Sequence, residues 1–269
     1  MKILKNVFEL NKAIKNYKNV GFVPTMGGIH KGHESLIKIS QKNNKKTIVS
    51  IFVNPTQFNQ KKDFNNYPRD IQKDISILRR LKVTYLFLPE VDEIYKKKMK
   101  NFILNKSDKI LCAKYRKGHF EGVIDVMDRL TKLIKPKKIY MGEKDFQQLF
   151  LVKKFLEKRY KTKIISCKTI RNKDKLALSS RNSLLHKKDI FITEKIAKNL
   201  FLFKKKLVKS KNLSELLILK KMELINLYKI KIEYLELRNI FNLRKSNTTK
   251  NSKIFIAYYI NKIRLIDNF

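Results

Sequence analysis

Short apolar runs alternate with amphipathic stretches over the first 170 or so residues of the chain. Residues 20–23 form a short apolar run ended by Pro24, and residues 47–53 (TIVSIFV) are β-branched and almost wholly apolar. A strand buried on both faces has that composition, because neither face alternates with solvent. Further strands are predicted at 85–88, 138–141 and 163–167. Between them the apolar spacing changes to three and four. Leu36, Ile37 and Ser40 mark a helix over 33–41, and Ile71, Ile75, Leu78 and Leu81 share one stripe of a helix over 69–81. Helices are also predicted over 120–134 and 145–159. Repeated strand–helix–strand units predict a parallel sheet with right-handed crossovers.

After about residue 184 the texture changes. Two helices, 189–209 and 213–228, precede strand-like runs at 231–237, 253–260 and 263–266. The pattern therefore predicts an α/β protein. A Rossmann-like parallel sheet with flanking helices occupies 1–173, and a smaller C-terminal α+β domain occupies 174–269.

Composition narrows the classes. Of 269 residues, 43% are hydrophobic, too many for a disordered basic tail. No apolar run approaches the roughly 20 residues of a membrane span, so no membrane partner is expected. The opening MKILKNVFELNKAIKN has no continuous apolar core, so no signal peptide is expected. Two cysteines, Cys112 and Cys167, are too few for a disulfide framework, which points to a reducing, cytoplasmic setting. The net charge of +40 invites a nucleic-acid reading. Two facts weigh against it. Only 11 of the 63 basic residues are Arg, the better phosphate and guanine reader, and the lysines are spread along the whole chain. Lys, Asn and Ile are all abundant and share A/T-rich codons, so compositional drift accounts for the excess more readily than binding does.

The chain has only seven glycines, and four of them, Gly21, Gly27, Gly28 and Gly32, lie within twelve residues. The segment FVPTMGGIHKGH (22–33) follows a strand and opens a helix, the place where parallel α/β sheets bind ligands. Glycines let backbone approach a ligand, and a helix N-terminus favours phosphate. His30 and His33, three apart, share one face of that first turn and suit a phosphoryl group whose charge grows in a transition state. No GxxxxGK[ST] loop is present. A second strand-to-helix join, YMGEKDFQQ (140–148), offers Gly142 for close approach and Lys144 as a point charge for a triphosphate, with Asp145 placed to cap the helix. IRNKDKLALSSRN (170–182) pairs two hydroxyls with an Arg, as a phosphate-gripping loop would. In FVNPTQF (52–58), Asn54 and Gln57 suit a small polar substrate read by uncharged hydrogen bonds, although Asn-Pro also suits a plain turn.

Together these segments resemble one family, the pantothenate synthetases or pantoate–β-alanine ligases. The matches run in order: 22–33, SIFVNPTQF (50–58), DFNNYPRD (63–70), GHFEGV (118–123), GEKDFQQL (142–149), TIRNKDKLALSSRN (169–182) and IRLIDN (263–268). HxGH and SSR also resemble the paired ATP signatures of the wider nucleotidyltransferase superfamily. The resemblance implies a two-step ligation. The carboxylate of (R)-pantoate attacks the α-phosphate of ATP, giving pantoyl adenylate and pyrophosphate, and the amine of β-alanine then displaces AMP. It makes His33 the catalytic acid, beside His30 and Lys144. It assigns Met26, Gly27, Gly28, Ile29, His30, Lys31, Gly32 and His33 to ATP, with Gly142, Glu143, Lys144 and Asp145. It adds Ile170 through its backbone, and Leu178, Ser179, Ser180 and Arg181. Gln57 would bind pantoate and β-alanine, Gln148 would bind pantoate, and Arg116 and His119 look secondary. Mg²⁺ would accompany the ATP phosphates. The resemblance also implies a homodimer, a C-terminal domain that closes as a lid, and no resident metal site or nucleic-acid partner.

Four positions depart from the family pattern. Lys175 and Leu178 stand where it usually has Gly and Met, and Asp125 and Asp128 where it prefers Thr and a neutral or apolar residue. Two rival readings stand beside the ligase. One is a nucleotidyltransferase acting on a phosphorylated acceptor, which the neutral pair Gln57 and Gln148 opposes. The other is a nucleic-acid-binding protein, which leaves the ordered motifs unexplained.

Overall fold

The computed structural model describes residues 1–59, 61–96, 102–208, 210 and 212–269. The chain divides into two compact units, Met1–Lys168 and Thr169–Phe269.

The first unit is built on a sheet of six parallel strands: β1 (Lys2–Leu4), β2 (Val20–Thr25), β3 (Lys46–Ile51), β4 (Tyr85–Phe87), β5 (Lys138–Gly142) and β6 (Lys163–Cys167). Their order is β1-β4-β3-β2-β5-β6. The central strands are buried on both faces, as their apolar runs predicted. Phe22, Val23, Ile48 and Val49 are wholly buried. The strand at 20–23 is the second in the chain, since β1 pairs with β4 at the sheet edge. β1 is not predicted because three residues carry too short an alternation to read, and the helix Val7–Ile14 is a further element that the sequence pattern did not single out. The predicted helix over 33–41 spans Lys31–Asn43, and that over 69–81 spans Ile71–Arg80.

In the second unit β7 (Lys231–Asn239), β8 (Ser252–Ile260) and β9 (Ile263–Asn268) form an antiparallel sheet in that order. The helices Lys187–Leu207 and Leu213–Tyr228 supply Ile196, Leu200 and Leu224 to a core shared with Ile254 and Ile256 of β8. Lys209, the expected end of the first of these helices, lies outside the described residues.

Two of the sequence motifs meet inside this unit. Arg171 grips Asp267 with both terminal nitrogens (2.7 and 2.8 Å), donates to the Asn268 carbonyl (2.7 Å), and lies 4.6 Å from the Phe269 ring centre. Arg171 also donates to the Lys175 carbonyl at 2.8 Å, closing a tight loop. Lys175 takes φ of +72° there. The left-handed region is where a Cβ is costly by about 1–2 kcal/mol, which accounts for the family's glycine. The Lys175 ammonium lies 5.2 Å from the Phe201 ring centre. Lys175→Gly and Lys175→Ala both lose that contact, but only glycine relieves the backbone. Denaturant titration should find the glycine variant more stable than the alanine variant by about 1 kcal/mol, and equal stabilities would remove the strain.

Candidate active site

The site lies where the strand order reverses. The chain leaves β2 for β3 on one side, while β5, on the other side, arrives much later. At such a switch point the connections leave in opposite directions and open a crevice beyond the carboxyl ends of the strands. The two loops that leave from its walls are 26–33 after β2 and 142–145 after β5.

The first loop is held from below. Thr25 donates its hydroxyl to the Ser50 carbonyl (2.7 Å) and accepts the Gly27 N–H (3.2 Å). Gly27 and Gly28 then adopt φ of +82° and +62°. A Cβ on Gly27 would also sit 2.9 Å from Oδ2 of Asp74. That carboxylate accepts the N–H of Gly28 (2.8 Å) and of Ile29 (2.7 Å). Burial raises the Asp74 pKa, and the two backbone donors oppose the rise. Asp74 is thus a positioning residue that the motifs did not single out. Its signal was an acid three residues after Ile71 and four before Leu78, on the apolar stripe itself.

His30 caps the helix Lys31–Asn43, its Nδ1 accepting the Gly32 N–H at 3.0 Å. An accepting Nδ1 puts the ring proton on Nε2, so neutral His30 is an Nε2–H donor. The ring centres of His30 and His33 are 4.1 Å apart. Burial, then the Lys144 charge, lower the His30 pKa to about 4, while Asp145 acts the other way. Burial, His30 and Lys144 together hold His33 well below the ordinary histidine range. Both rings are therefore neutral at pH 7. Nδ1 of His33 is buried with no hydrogen-bond partner among the described residues. Such an atom costs about 1–3 kcal/mol until a polar ligand satisfies it.

The second loop is the short turn Glu143–Asp145, which runs into the helix Phe146–Leu156. Asp145 stands at the cap position but makes no capping hydrogen bond, contrary to the expectation from sequence. Its carboxylate instead faces Lys144 at 3.6 Å, a loose pair. Glu143 accepts from the Ser166 hydroxyl (2.8 Å). Lys144 is largely buried and its field reaches both histidines. A desolvated ammonium beside two neutral imidazoles makes the crevice a place for an anion.

The turn Pro55–Gln57 follows β3, and Gln57 is buried with its amide nitrogen on the Met26 sulfur. Asn54 is committed to structure: its amide donates to the Gly122 carbonyl (3.1 Å) and to Oε1 of Gln57 (3.4 Å). Gly122 is required there, since a Cβ would come within 2.5 Å of the Thr56 carbonyl oxygen. The Gln57 carbonyl in turn accepts Nδ1–H of His119 (2.6 Å) and Nη2 of Arg116 (3.4 Å), and Arg116 Nη1 meets His119 Nε2 at 2.8 Å. Arg116 and His119 thus hold the backbone of Gln57. The two neighbouring glutamines have separate tasks. Gln147 is buried and donates to the carbonyls of Asp108 (3.3 Å) and Ile110 (2.7 Å). The half-buried Gln148 makes no side-chain hydrogen bond among the described residues.

The first unit thus brings 26–33, Gln57 and 142–145 into one neighbourhood, with Gln148 at the start of the next helix. The remaining expected residues belong to the second unit. There Ile170 is exposed and its carbonyl accepts the Leu178 N–H (3.0 Å). Ser179 caps the turn Ser180–Leu184 by accepting the Arg181 N–H (3.3 Å). The two unusual acids also find partners: Asp125 pairs with Arg129 (3.0 Å), and Asp128 with Arg159 (3.3 Å) and the Tyr160 hydroxyl (2.7 Å).

Fold and site define an enzyme with a Rossmann-like sheet that handles an anion at its carboxyl edge. A family model described as pantoate-beta-alanine ligase matches residues 2–269. A pantothenate synthetase from Clostridium botulinum (strain ATCC 19397 / Type A) is 39% identical over 279 residues, covering 100% of this chain and 99% of its own. One from Thermosipho africanus is 36% identical, with the same coverage. The crystal structure of pantothenate synthetase from Thermus thermophilus superposes with a TM-score of 0.94 at 30% identity, covering 100% and 99% of the two chains. That of the Francisella tularensis pantoate-beta-alanine ligase, complexed with beta-gamma ATP and beta-alanine, gives 0.83 at 39% identity, covering 100% and 97%. This chain belongs to the pantoate–β-alanine ligase family, and it is a ligase.

Proposed function

We propose that the chain joins (R)-pantoate to β-alanine through a pantoyl adenylate. The pantoate carboxylate attacks the α-phosphorus of ATP and pyrophosphate leaves. The β-alanine amine then attacks the acyl carbon, losing a proton as AMP departs with the acyl–oxygen bond electrons. The observation that carries this reading is the neutral His30–His33 pair set against Lys144. In-line displacement at phosphorus needs positioned donors and charge more than a covalent nucleophile. Lys144 is read as the fixed cation and the imidazole N–H groups as donors to phosphoryl oxygens. For His33 to serve as an acid it must first take up a proton, which the negative charge of bound ATP favours. Residues 26–33 and 142–145 are read as ATP contacts, as are Ile170, Leu178, Ser179, Ser180 and Arg181. Gln57 and Gln148 are read as contacts for pantoate, with Gln57 also serving β-alanine.

Mg²⁺ belongs to this reading as the counter-ion of the triphosphate. Among the described residues no group of three His, Cys, Asp or Glu is disposed to hold a metal. The reading puts the ion on the triphosphate, where it would neutralise charge. The same reading makes the enzyme a cytoplasmic homodimer. No helix among the described residues is long and apolar enough to cross a membrane.

An AMP-release assay with each substrate omitted in turn tests the proposal. AMP should form only when ATP, pantoate and β-alanine are all present, and pyrophosphate exchange into ATP should need pantoate alone. Release of ADP would overturn the adenylate route.

A further inference from the structure

We propose that Asp125, Arg129 and Tyr95 form a brace that positions Gln57 and thereby sets affinity for the small acid; this rests on the reading of Gln57 given above. Asp125 is wholly buried on the helix His119–Ile134, and Arg129, one turn later, meets both its carboxylate oxygens through Nε (3.1 and 3.0 Å). The Arg129 side chain is itself only 13% exposed. Its Nη1 donates to the Ile94 carbonyl (3.2 Å), and its guanidinium lies 4.6 Å from the Tyr95 ring centre. One ion pair therefore fixes both the backbone entering Tyr95 and the ring.

Tyr95 passes this placement on. Its hydroxyl donates to Oδ1 of Asn54 at 2.7 Å. That oxygen also takes the Thr56 hydroxyl (3.0 Å) and N–H (3.3 Å), which closes the turn carrying Gln57. The Asn54 amide reaches Oε1 of Gln57. Burial pushes the Tyr95 pKa up to about 12, so the hydroxyl remains a donor. A buried ion pair is a poor source of stability compared with apolar side chains of the same volume, whereas fixing a register is its best-attested use. Here the fixed element is the turn at 54–57. Asp125, a departure from the family pattern, is thus explained by the Arg129 it orients.

Tyr95→Phe is the decisive variant, since it keeps the ring under Arg129 and removes only the hydroxyl. The KM for pantoate should rise roughly 5- to 20-fold, the scale of one lost hydrogen bond, with kcat and the KM for ATP within about twofold. Arg129→Met should match it, and Arg129→Lys, which keeps the charge without the planar fork, should fall between. An unchanged KM for pantoate in Tyr95→Phe, or an equal rise for ATP, would overturn the brace. A second readout is independent of activity. The side-chain amide signals of Asn54 and Gln57 in ¹⁵N spectra should move in Tyr95→Phe while the His30 and His33 ring signals stay. Unmoved amides would overturn the brace even if the enzyme is active. Wild-type protein that releases no AMP with pantoate would overturn the functional reading, and with it the KM claim, while the amide signals still decide whether the hydroxyl holds Gln57.

Discussion

Replacing His33 by alanine should lower kcat by roughly 10²–10³, the scale for losing one donor aimed at transition-state charge. The KM for ATP should change much less, because the loop glycines and Lys144 remain. The structure separates this effect from a folding defect. Nδ1 of His33 is buried and has no partner among the described residues, so its removal forfeits no hydrogen bond to them at that atom. His30 differs, since its Nδ1 caps a helix. His30→Ala should therefore cost about 1 kcal/mol of stability as well as activity, the usual scale of a lost cap. Steady-state kinetics beside denaturant titration reads both quantities. A near-wild-type kcat in His33→Ala would remove that residue from the chemistry.

The second large effect is expected at Lys144. Lys144→Met keeps length and apolar stem while deleting the charge, and kcat/KM should fall by about 10²-fold, as for a charge-assisted contact worth up to about 3 kcal/mol. The same variant carries a spectroscopic signature. Lys144 is the second cause of the depressed His30 pKa, after burial. Removing it should raise that pKa from about 4 towards, without reaching, its ordinary 6.5, as an NMR titration of the ring would register. The sign for pH follows from the neutral form being favoured in the folded state. Between pH 6.5 and about 4 the unfolded chain binds a proton at this position that the native state refuses. His30 therefore withdraws stability as pH falls through that window, and the window narrows in Lys144→Met. An unchanged kcat/KM would exclude Lys144 from the phosphate site, and an unshifted His30 would exclude the electrostatic coupling.

Much of this site is legible in the sequence alone. Gly27, Gly28, His30 and His33 announced themselves because a glycine-poor chain placed them at a strand-to-helix join, and Lys144 because it follows a second such join. The apolar runs of β2 and β3 were legible for the same physical reason, being buried on both faces. What stayed hidden depends on contacts across the fold. Asp74 reads as an ordinary helix acid until its carboxylate is seen beneath two backbone N–H groups. Asn54 reads as a substrate contact or a plain turn, and its side-chain amide makes five hydrogen bonds within the protein. Asp128 is explained only by Arg159 and Tyr160, and Asp125 only by an Arg129 that also covers Tyr95; Arg159, Tyr160 and Tyr95 lie in other segments. Arg129, one helical turn from Asp125, was the part of that arrangement open to view.

The position of β5 beside β2 has a consequence for how the enzyme comes into being. The histidines emerge early in synthesis, in the loop and helix start that follow β2, the strand that later lies at the centre of the sheet. Their cation and the wall opposite them arrive only once Lys138–Gly142 has been made and paired in parallel with Gly21 and Phe22. Parallel pairing of segments so distant in the chain carries a large loop-closure cost and is slow. A nascent chain that has exposed β2, β3 and β4 thus bears the glycine loop and both imidazoles without a crevice to work in. Acquisition of nucleotide affinity during refolding should lag the first appearance of secondary structure, and it reports on that one strand pairing.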